Sequence, residues 1–374
     1  MRKAIFFDIL ILFLLLLNFS RVNFLIENDK EPHKEKNRIK LESNYLKLSN
    51  AKSKWSYTAG SYVYSVAISS DGEYIAAGSY DDNVYFFHRS SSSPKHTYDT
   101  GDNVESVAIS SDGNYTIAGV SNSAAGLFLF NKSSSDSMWS FPVAFYHVCI
   151  SDDGFYIAAV SSSNLYFFNK TKNVPMWIYN APSTIRSVAM SSNGFYIVVG
   201  GDFMNIFLLN KSSNIPQKTF SVASWVKSIT ISSDGNYITA GTIGGDIYLF
   251  NKTQALWNVD VNHGEINSVD ISSDGYYLIA GTDLGYIVFF NKTKNSPTWE
   301  YQSPEINDHI YSVAISSDGR YMVAGSQEYK VFYFRNSSSK PIYSFTAGDQ
   351  VYTTDISSNG KYFVAGTMGI VNKI

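Results

Sequence analysis

One motif of about ten residues occurs eight times along the chain, and it constrains the fold more than any other feature. The motif has the form Ser-Val-Ala-Ile-Ser-Ser-Asp-Gly-x-Tyr, and consecutive copies begin 40 to 44 residues apart. The copies begin at Ser65, Ser106, His147, Ser187, Ser228, Ser268, Ser312 and Thr353. A period of roughly 40 residues with strand-like content is typical of a β-propeller, in which each repeat forms one blade. A motif shared by all repeats indicates a scaffold, so we expect functional residues where the copies differ.

The first repeat predicts four antiparallel strands. Val63–Ser69 reads as an inner strand, and Ser70-Asp71-Gly72 as a tight turn, because Asp bonds its own backbone and Gly accepts positive φ. Tyr74–Ser79 and Val84–His88 follow as the second and third strands, and a short fourth strand is centred on Thr97. Each repeat is therefore expected to form one four-stranded blade.

The last copy has no fourth strand of its own. The stretch Lys54–Ala59, which precedes the first copy, matches fourth strands elsewhere, such as Trp177-Ile178-Tyr179. An N-terminal strand that completes the last blade would close the ring and leave no free sheet edge. We therefore predict an all-β, eight-bladed β-propeller over residues 54–374, closed by an N-terminal strand and preceded by a hydrophobic helix.

The N-terminus predicts export. Arg2 and Lys3 precede the apolar run Ile9–Leu17, which has the length and flank of a secretory signal. Residues 1–26 are thus expected to be a signal peptide or membrane anchor, with a buried helix as the alternative. Residues 27–53 mix Glu and Lys and read as a charged linker. Both favoured interpretations place the propeller outside the cell, secreted or tethered at its surface.

Composition limits the classes of partner. Net charge is −3, with no basic stretch in the repeats, which argues against nucleic acid. Cys149 is the single cysteine, so an internal disulfide framework is excluded. We expect a monomeric propeller without a cofactor.

The stretch Ser65–Ser79 (Ser-Val-Ala-Ile-Ser-Ser-Asp-Gly-Glu-Tyr-Ile-Ala-Ala-Gly-Ser) resembles the first two strands of WD-repeat blades. The tryptophan that opens many fourth strands is similar to pyrroloquinoline-quinone-type (PQQ-type) repeats, where a Trp docks each blade on its neighbour. The third strands end in Phe-Asn-Lys, as at Phe130-Asn131-Lys132, where WD repeats carry Trp-Asp. The resemblance implies the propeller fold; a dehydrogenase or cofactor role would follow only from analogy with the quinone enzymes.

Seven acceptor sequons for N-glycosylation occur in the turns of the repeats. They are Asn114, Asn131, Asn169, Asn210, Asn251, Asn291 and Asn336. In a secreted protein such turns are candidate glycosylation sites. The alternative is that Asn-Lys-Ser is turn chemistry repeated by duplication.

Several other positions offer ligands of metal ions, and each has a structural alternative. The Asp-Gly turns could supply one carboxylate per blade to calcium, but such groups do not converge, so we favour turns. His147 and Cys149 share a strand face, and we favour packing over a metal pair. Asp270 and Asp355 replace an inner-strand alanine and are expected to bond backbone of the next blade or to hold a channel ion. No catalytic or metal site is predicted.

The residue before the repeated serine changes charge and size from copy to copy, while the flanking residues stay nearly constant. This variation makes it a candidate for partner binding. These residues are Tyr64, Glu105, Tyr146, Arg186, Lys227, Asn267, Tyr311 and Tyr352. We predict that all eight ring the channel mouth, opposite the sequons, and contact a partner; neutral drift is the alternative. Neighbouring loops contribute Tyr80, Asp81, Asp82, Asp202, Phe203, Asp246, Asp283, Glu328 and Tyr329. Trp225 stands in a loop before an inner strand and is a further candidate contact.

The sequence thus predicts a non-enzymatic, secreted or surface-tethered scaffold that binds a protein or glycan through the sequon-free face. One alternative is a quinoprotein-like enzyme that uses the central channel near Asp270 and Asp355. Another is a structural component of a cell-surface assembly.

Overall fold

A computed structural model describes residues 54–121, 124–306, 308–368 and 372–373. These residues form strands and turns, with no helix among them, so none of the described segments is a helix that could cross a bilayer. The predicted leader (1–26) and the predicted linker (27–53) both lie outside the described residues.

The strands follow the predicted period, with second strands running from a tyrosine into small apolar residues. In chain order the strands are β1 (Ser56–Tyr57), β2 (Val63–Ile68), β3 (Tyr74–Ser79), β4 (Asn83–His88), β5 (His96–Asp99), β6 (Val104–Ile109), β7 (Tyr115–Val120), β8 (Leu127–Asn131), β9 (Ser137–Phe141), β10 (His147–Ile150), β11 (Tyr156–Ser161), β12 (Asn164–Asn169), β13 (Trp177–Asn180), β14 (Ile185–Met190), β15 (Tyr196–Gly201), β16 (Phe203–Asn210), β17 (Ser213–Ser221), β18 (Val226–Ile231), β19 (Tyr237–Thr242), β20 (Asp246–Asn251), β21 (Ala255–Asp260), β22 (Ile266–Ile271), β23 (Tyr277–Thr282), β24 (Tyr286–Asn291), β25 (Trp299–Gln302), β26 (Ile310–Ile315), β27 (Tyr321–Ser326), β28 (Lys330–Arg335), β29 (Tyr343–Thr346), β30 (Val351–Ile356), β31 (Phe363–Thr367) and β32 (Asn372–Lys373).

Seven antiparallel four-stranded sheets form blades 1 to 7, each made of four consecutive strands from β2 to β29. The second and third strands are buried on both faces, which is why they read as nearly continuous apolar runs. The fourth strands alternate half-buried and exposed residues because they lie at the outer edge of each blade. Hydrophobic clusters lie between neighbouring blades. One joins Ile247 and Leu249 of blade 5 to Ile266 and Val269 of blade 6.

The predicted count of eight blades is wrong: the structure has seven four-stranded blades. The eighth copy of the motif forms a two-stranded sheet, β30–β31, and β1 pairs with β32 in a second two-stranded sheet. Ser56 lies opposite Lys373 in that pair. The physical reason is length: β32 spans two residues, whereas the third strands of the blades span five to eight, so no four-stranded ladder is built. The N-terminal helix of the same prediction does not lie within the described residues.

Backbone hydrogen bonds connect the Asp-Gly turns of successive repeats. The N–H of Ser70 donates to Ser111 O at 3.0 Å, and Ser111 N–H donates to Asp152 O at 2.9 Å. The series continues through every repeat until Ser358 N–H donates back to Ser70 O at 3.0 Å. The eighth copy of the motif therefore occupies its own place beside blade 1 and closes the ring of turns.

Antiparallel strands place their connections alternately at two ends, and this defines two faces of the ring. The variable face carries the loops between second and third strands, such as Tyr80–Asp82, and those between fourth and first strands, such as Thr100–Asn103. The turn face carries the Asp-Gly turns and the turns between third and fourth strands, such as Arg89–Lys95.

Candidate functional site on the variable face

A β-bulge sets the position of the residue before the repeated serine. In blade 1, Val63 pairs with Ser79 and Ser65 pairs with Gly78, so Tyr64 is the extra residue of the first strand. The same register shift occurs in β6, β14, β18, β22, β26 and β30. A bulge leaves its residue unpaired and re-aims the side chain. Seven of the eight candidate residues thus lie at a bulge, at the end of the first strand that borders the variable face.

Four tyrosines form a continuous group on this face, which we call the tyrosine arc: Tyr311, Tyr352, Tyr64 and Tyr80. The ring centroids of Tyr311 and Tyr352 are 5.3 Å apart, and those of Tyr352 and Tyr64 are 4.4 Å apart. Tyr64 also stacks on Tyr80 at 4.9 Å. The arc crosses from blade 7 over the eighth repeat to blade 1, so it spans the incomplete part of the ring.

Hydrogen bonds hold the arc together. The hydroxyl groups of Tyr64 and Tyr352 are 2.7 Å apart, and the Tyr80 hydroxyl donates to Glu105 Oε2 at 2.7 Å. Burial raises the pKa of all four phenols above the ordinary value, and the Glu105 carboxylate raises the pKa of Tyr80 further. At neutral pH the arc is therefore an uncharged aromatic surface with hydroxyl groups, bordered by a carboxylate.

The remaining candidates lie apart from the arc. Lys227 Nζ donates to Glu265 Oε2 at 2.8 Å and to Asn267 Oδ1 at 2.7 Å, and Asn267 Nδ2 donates to Ile310 O at 3.1 Å. Arg186 forms an ion pair with Asp202. The structure thus brings six of the eight predicted residues into two connected groups. Tyr64, Tyr311 and Tyr352 belong to the arc, with Glu105 attached through Tyr80, and Lys227 pairs with Asn267.

Tyr146 differs from the other seven because blade 3 begins its first strand later. Here β10 starts at His147, which pairs with Val160, and Tyr146 precedes the strand. Its side chain is 44% exposed. Three other aromatic side chains are similarly exposed, and they are Tyr62, Trp225 and Tyr329. All four lie in loops of the variable face, and among the described residues no aromatic of the turn face reaches that exposure.

Two predicted residues of the loops between second and third strands, Asp81 and Phe203, have structural roles. Asp81 accepts the Tyr85 hydroxyl at 2.6 Å and the Gly60 N–H, and these bonds lower its pKa against the opposing effect of burial. Phe203 is buried in the core between blades, so its place among surface candidates is wrong.

Tyr62 was absent from the sequence candidates. Its signal was the alternation in Ser61-Tyr62-Val63, which puts Tyr62 opposite the buried Val63.

Serine and threonine side chains join the inner strands of neighbouring blades around the ring. Ser65 Oγ accepts Val107 N–H of the next blade at 3.0 Å, and Ser228 Oγ accepts Val269 N–H at 3.0 Å. Thr353 Oγ1 accepts Val66 N–H at 3.4 Å and so joins the eighth repeat to blade 1. In blade 3 the exposed His147 stands at this position.

Asp270 and Asp355 make the backbone contacts predicted as one alternative. Asp270 Oδ2 accepts Ile315 N–H of the next blade at 2.9 Å, and Asp355 Oδ2 accepts Ile68 N–H at 2.8 Å. Desolvation raises the pKa of Asp270 to about 7 and that of Asp355 to about 6. Within the described residues no group of three or more His, Cys, Asp or Glu side chains is placed to hold a metal ion. His147 and Cys149 accordingly have no third ligand there.

The Asp-Gly motif forms the turn that its sequence predicts. Ser69 Oγ donates to Asp71 Oδ1 at 2.6 Å, and the same oxygen accepts Glu73 N–H at 2.8 Å. Ser69 Oγ also accepts Tyr74 N–H at 3.0 Å. The carboxylate is occupied by its own turn, which agrees with the turn interpretation. The same hydrogen bonds form in every repeat. In blade 4, Asn193 Oδ1 takes the place of the carboxylate and accepts from Ser191 Oγ and Phe195 N–H.

The sequons lie on the turn face. Asn131 Oδ1 accepts Ser133 N–H at 3.0 Å and Asn169 Oδ1 accepts Thr171 N–H at 3.0 Å. The same turn occurs at Asn210, Asn251 and Asn291. Glycosylation at these asparagines stays a prediction.

The fourth-strand tryptophans connect neighbouring blades. The donor–acceptor pairs from indole Nε1 to backbone O are Trp55 to Arg89, Trp139 to Lys170, Trp177 to Lys211, Trp257 to Lys292 and Trp299 to Asn336, at 2.8 to 3.0 Å. Their regular spacing therefore reflects packing.

Comparison with known proteins supports the WD-repeat half of the predicted resemblance. The family profile "WD domain, G-beta repeat" matches residues 52–88, 214–251, 257–291 and 300–334. The chain is similar to WD-repeat propellers. The PQQ-type half of the resemblance has no support in these matches. Among curated proteins, none matches the sequence.

A solved structure shares the fold. It is described as Chaetomium thermophilum Sqt1 bound to the N-terminus of the ribosomal protein L10. The two chains are 13% identical with a TM-score of 0.74, and the match covers 85% of this chain and 98% of that one. At this identity the similarity shows the fold alone.

Proposed function

We propose that the chain is a non-catalytic protein-binding scaffold that engages its partner through the variable face. The observation that carries the proposal is the distribution of exposed aromatic side chains: Tyr62, Tyr146, Trp225 and Tyr329 all lie on that face. Tyr and Trp are enriched among the residues that contribute most to protein–protein binding. The bulges add variable side chains beside them, on first strands whose backbone is fixed by the ring.

Similarity to WD-repeat propellers supports the proposal, because a rigid ring that presents variable loops suits binding better than chemistry that needs converging groups. The related Sqt1 structure contains a bound protein N-terminus, which is consistent with a protein rather than a glycan partner.

Site-specific photo-cross-linking tests the proposal in the intact protein. A benzophenone amino acid would replace Tyr146, Trp225 or Tyr329 on the variable face, and Ser92, Asn173 or Asn295 in exposed turns of the turn face. Cross-linked proteins from living cells would be identified by mass spectrometry. We expect one partner to be captured from all three variable-face positions and from none of the turn-face positions. Equal capture of the same partner from the turn face would reject the proposed surface.

The secreted or surface-tethered location is part of the same proposal, and it rests on the apolar run Ile9–Leu17 after Arg2 and Lys3. Surface biotinylation of intact cells and digestion with a glycosidase that removes N-linked sugars test it together. A labelled protein that loses mass on digestion is expected, and an unlabelled protein in intact cells would contradict the location while leaving the binding face untouched.

A further inference from the structure

The two faces of the propeller differ in charge: the turn face mixes cations with the carboxylates of the Asp-Gly turns, whereas carboxylates are in excess on the variable face. On the turn face, successive blades place a cation at the start of each turn between third and fourth strands: Arg89, Lys132, Lys170, Lys211, Lys252 and Lys292. Loops of the variable face instead carry carboxylates, among them Asp82, Asp99, Asp102, Asp246, Asp260 and Glu328.

Few cations offset the carboxylates of the variable face. In the described part of the chain its Lys and Arg side chains are Arg186, Lys227 and Lys330. Arg186 is paired with Asp202 and Lys227 with Glu265, while Lys330 Nζ donates to Thr346 Oγ1 at 3.0 Å. The carboxylates of blades 1, 5 and 7 therefore outnumber the cations near them.

Like charges are close enough to affect one another. The pKa of Asp82 is raised by desolvation and then by Asp102, Asp99 and Asp81. The pKa of Asp246 is raised by desolvation and by Asp260. A cation arriving from a partner would relieve this repulsion, whereas an anion would increase it.

Aromatic rings lie among these carboxylates. Tyr62 is 6.5 Å from Tyr80 between ring centroids, and Tyr80 in turn donates to Glu105. The tyrosine arc continues from there through Tyr64 and Tyr352 to Tyr311. Rings next to carboxylates suit the guanidinium group of arginine, which stacks on an aromatic face while its N–H groups bind carboxylate oxygens.

We propose that the partner presents an extended, arginine-rich peptide segment to the variable face, where guanidinium groups stack on the tyrosine arc and pair with the surrounding carboxylates. This inference rests on the proposed function, since it names the chemistry of the segment that the same face binds. On the turn face, lysines offset the carboxylates of the Asp-Gly turns, as Lys132 does at Asp112 and Lys252 at Asp234, so the excess negative charge that attracts such a segment lies on the variable face.

Binding of three labelled peptides to the purified full chain, followed by fluorescence anisotropy, tests the inference. The peptides alternate Gly with Arg, Lys or Glu. We expect the Arg peptide to bind more tightly than the Lys peptide, because stacking adds to charge, and the Glu peptide not to bind. Affinity for the Arg peptide should fall as salt is raised. Equal affinity for the Arg and Lys peptides would contradict stacking on the arc.

Two variants of matched net charge separate a local site from general attraction of cations. The first carries Asp82→Asn, Asp102→Asn, Asp246→Asn and Glu328→Gln on the variable face. The second adds the same positive charge to exposed turns of the turn face through Ser92→Lys, Ser135→Lys, Asn173→Lys and Asn295→Lys. We expect the first to weaken binding of the Arg peptide by about tenfold and the second by less than about twofold. Equal weakening, or no binding to the native chain, would overturn the inference.

Thermal unfolding of both variants ensures that a loss of binding is not a loss of fold. The cross-linking experiment stays independent of these results. A partner cross-linked on the variable face through a neutral or acidic segment would contradict this inference but not the proposed function. A partner cross-linked on the turn face would contradict both.

Discussion

The turn face and the variable face are built from the same strands, yet they are held together very differently. On the turn face each Asp-Gly turn bonds the next one through backbone, and each tryptophan donates to the turn of a neighbouring blade. Lysines lie over tyrosine rings, such as Lys292 at 4.1 Å from the Tyr237 centroid. On the variable face, exposed aromatics and carboxylates take the place of these contacts.

This difference separates two tasks within one ring. The turn face carries contacts between repeats that recur in each copy, so its residues recur too. On the variable face the contacts between repeats, such as Tyr64 with Tyr352 and Lys227 with Asn267, differ from blade to blade. Substitutions on the turn face should therefore act on stability, and substitutions on the variable face on binding.

The largest expected effect comes from a glycine of the turn face. Gly275 has φ +67, and a Cβ added there would lie 2.3 Å from Tyr237 Cδ2. Gly101 on the variable face has φ +80, but nothing lies within 4 Å of its added Cβ. Gly275→Ala should cost about 3 kcal/mol or more, through strain and overlap, and Gly101→Ala about 1 kcal/mol. Chemical denaturation of the two variants measures the contrast, and equal losses would show that the tyrosine moves aside.

A pair of tryptophans sharpens the comparison. Trp177 stacks on Phe167 at 4.7 Å and donates to Lys211 O, whereas Trp225 is 42% exposed on the variable face. Trp177→Ala should lower stability by about 3 kcal/mol. Trp225→Ala should change stability by less than about 0.5 kcal/mol and reduce partner binding. A stable Trp177→Ala protein, measured by thermal unfolding, would contradict the structural role of the set.

Between the two faces, the channel carboxylates predict a pH dependence. Folding raises the pKa of Asp270 to about 7, above that of the unfolded chain, so its contribution is favourable at low pH and is lost as pH rises through about 7. Between pH 5 and 8 this group alone should lower the free energy of unfolding by about 2 kcal/mol. Asp270→Asn should remove that slope.

Asp355→Asn serves as the matched comparison, since the pKa of Asp355 is raised to about 6. Between pH 5 and 8, Asp355 should contribute a smaller loss of unfolding free energy than Asp270, and that loss should be complete at a lower pH. Thermal unfolding midpoints across this range, native minus variant, give both slopes. Parallel profiles for the native chain and Asp270→Asn would show that the carboxyl keeps an ordinary pKa.

The smallest expected effect tests the turn chemistry itself. Asn193 already replaces Asp in blade 4 and accepts both Ser191 Oγ and Phe195 N–H at 2.9 Å. Asp274→Asn should therefore change stability by less than about 0.5 kcal/mol. Asp274→Ala leaves Ser272 Oγ and Tyr276 N–H without their acceptor and should cost about 1 kcal/mol or more. Indistinguishable denaturation midpoints for the two variants would remove the carboxylate from the turn network.

Much of the local structure was predictable. The second strand Tyr74–Ser79 has the predicted bounds, and the first strand differs from the prediction by one residue at its end. These elements depend on alternation and turn residues, which are visible within ten residues of sequence. Similarly, the inter-blade role of the tryptophans follows from their spacing.

The candidate site stays a prediction as a binding surface; the sequence indicated where its residues lie, but not how they contact one another. Sequence variation singled out Tyr64, Tyr311 and Tyr352, but their contact depends on which repeats are neighbours around the ring. Phe203 illustrates the reverse error: a loop residue by sequence begins β16 and is buried against blade 3. The charge of the two faces was also present in the sequence, but it becomes meaningful once each loop is assigned to a face.

The repeat by itself determined an all-β ring of similar units, the turn chemistry of each unit and the list of positions free to vary. Only the tertiary structure decided that seven units form four-stranded blades, that the variable residue lies at a bulge, and that four tyrosines meet beside the eighth repeat. The reason is the range of the interactions: turns and strand alternation act between neighbours in sequence, whereas Tyr64 and Tyr352, 288 residues apart, meet only because the ring closes.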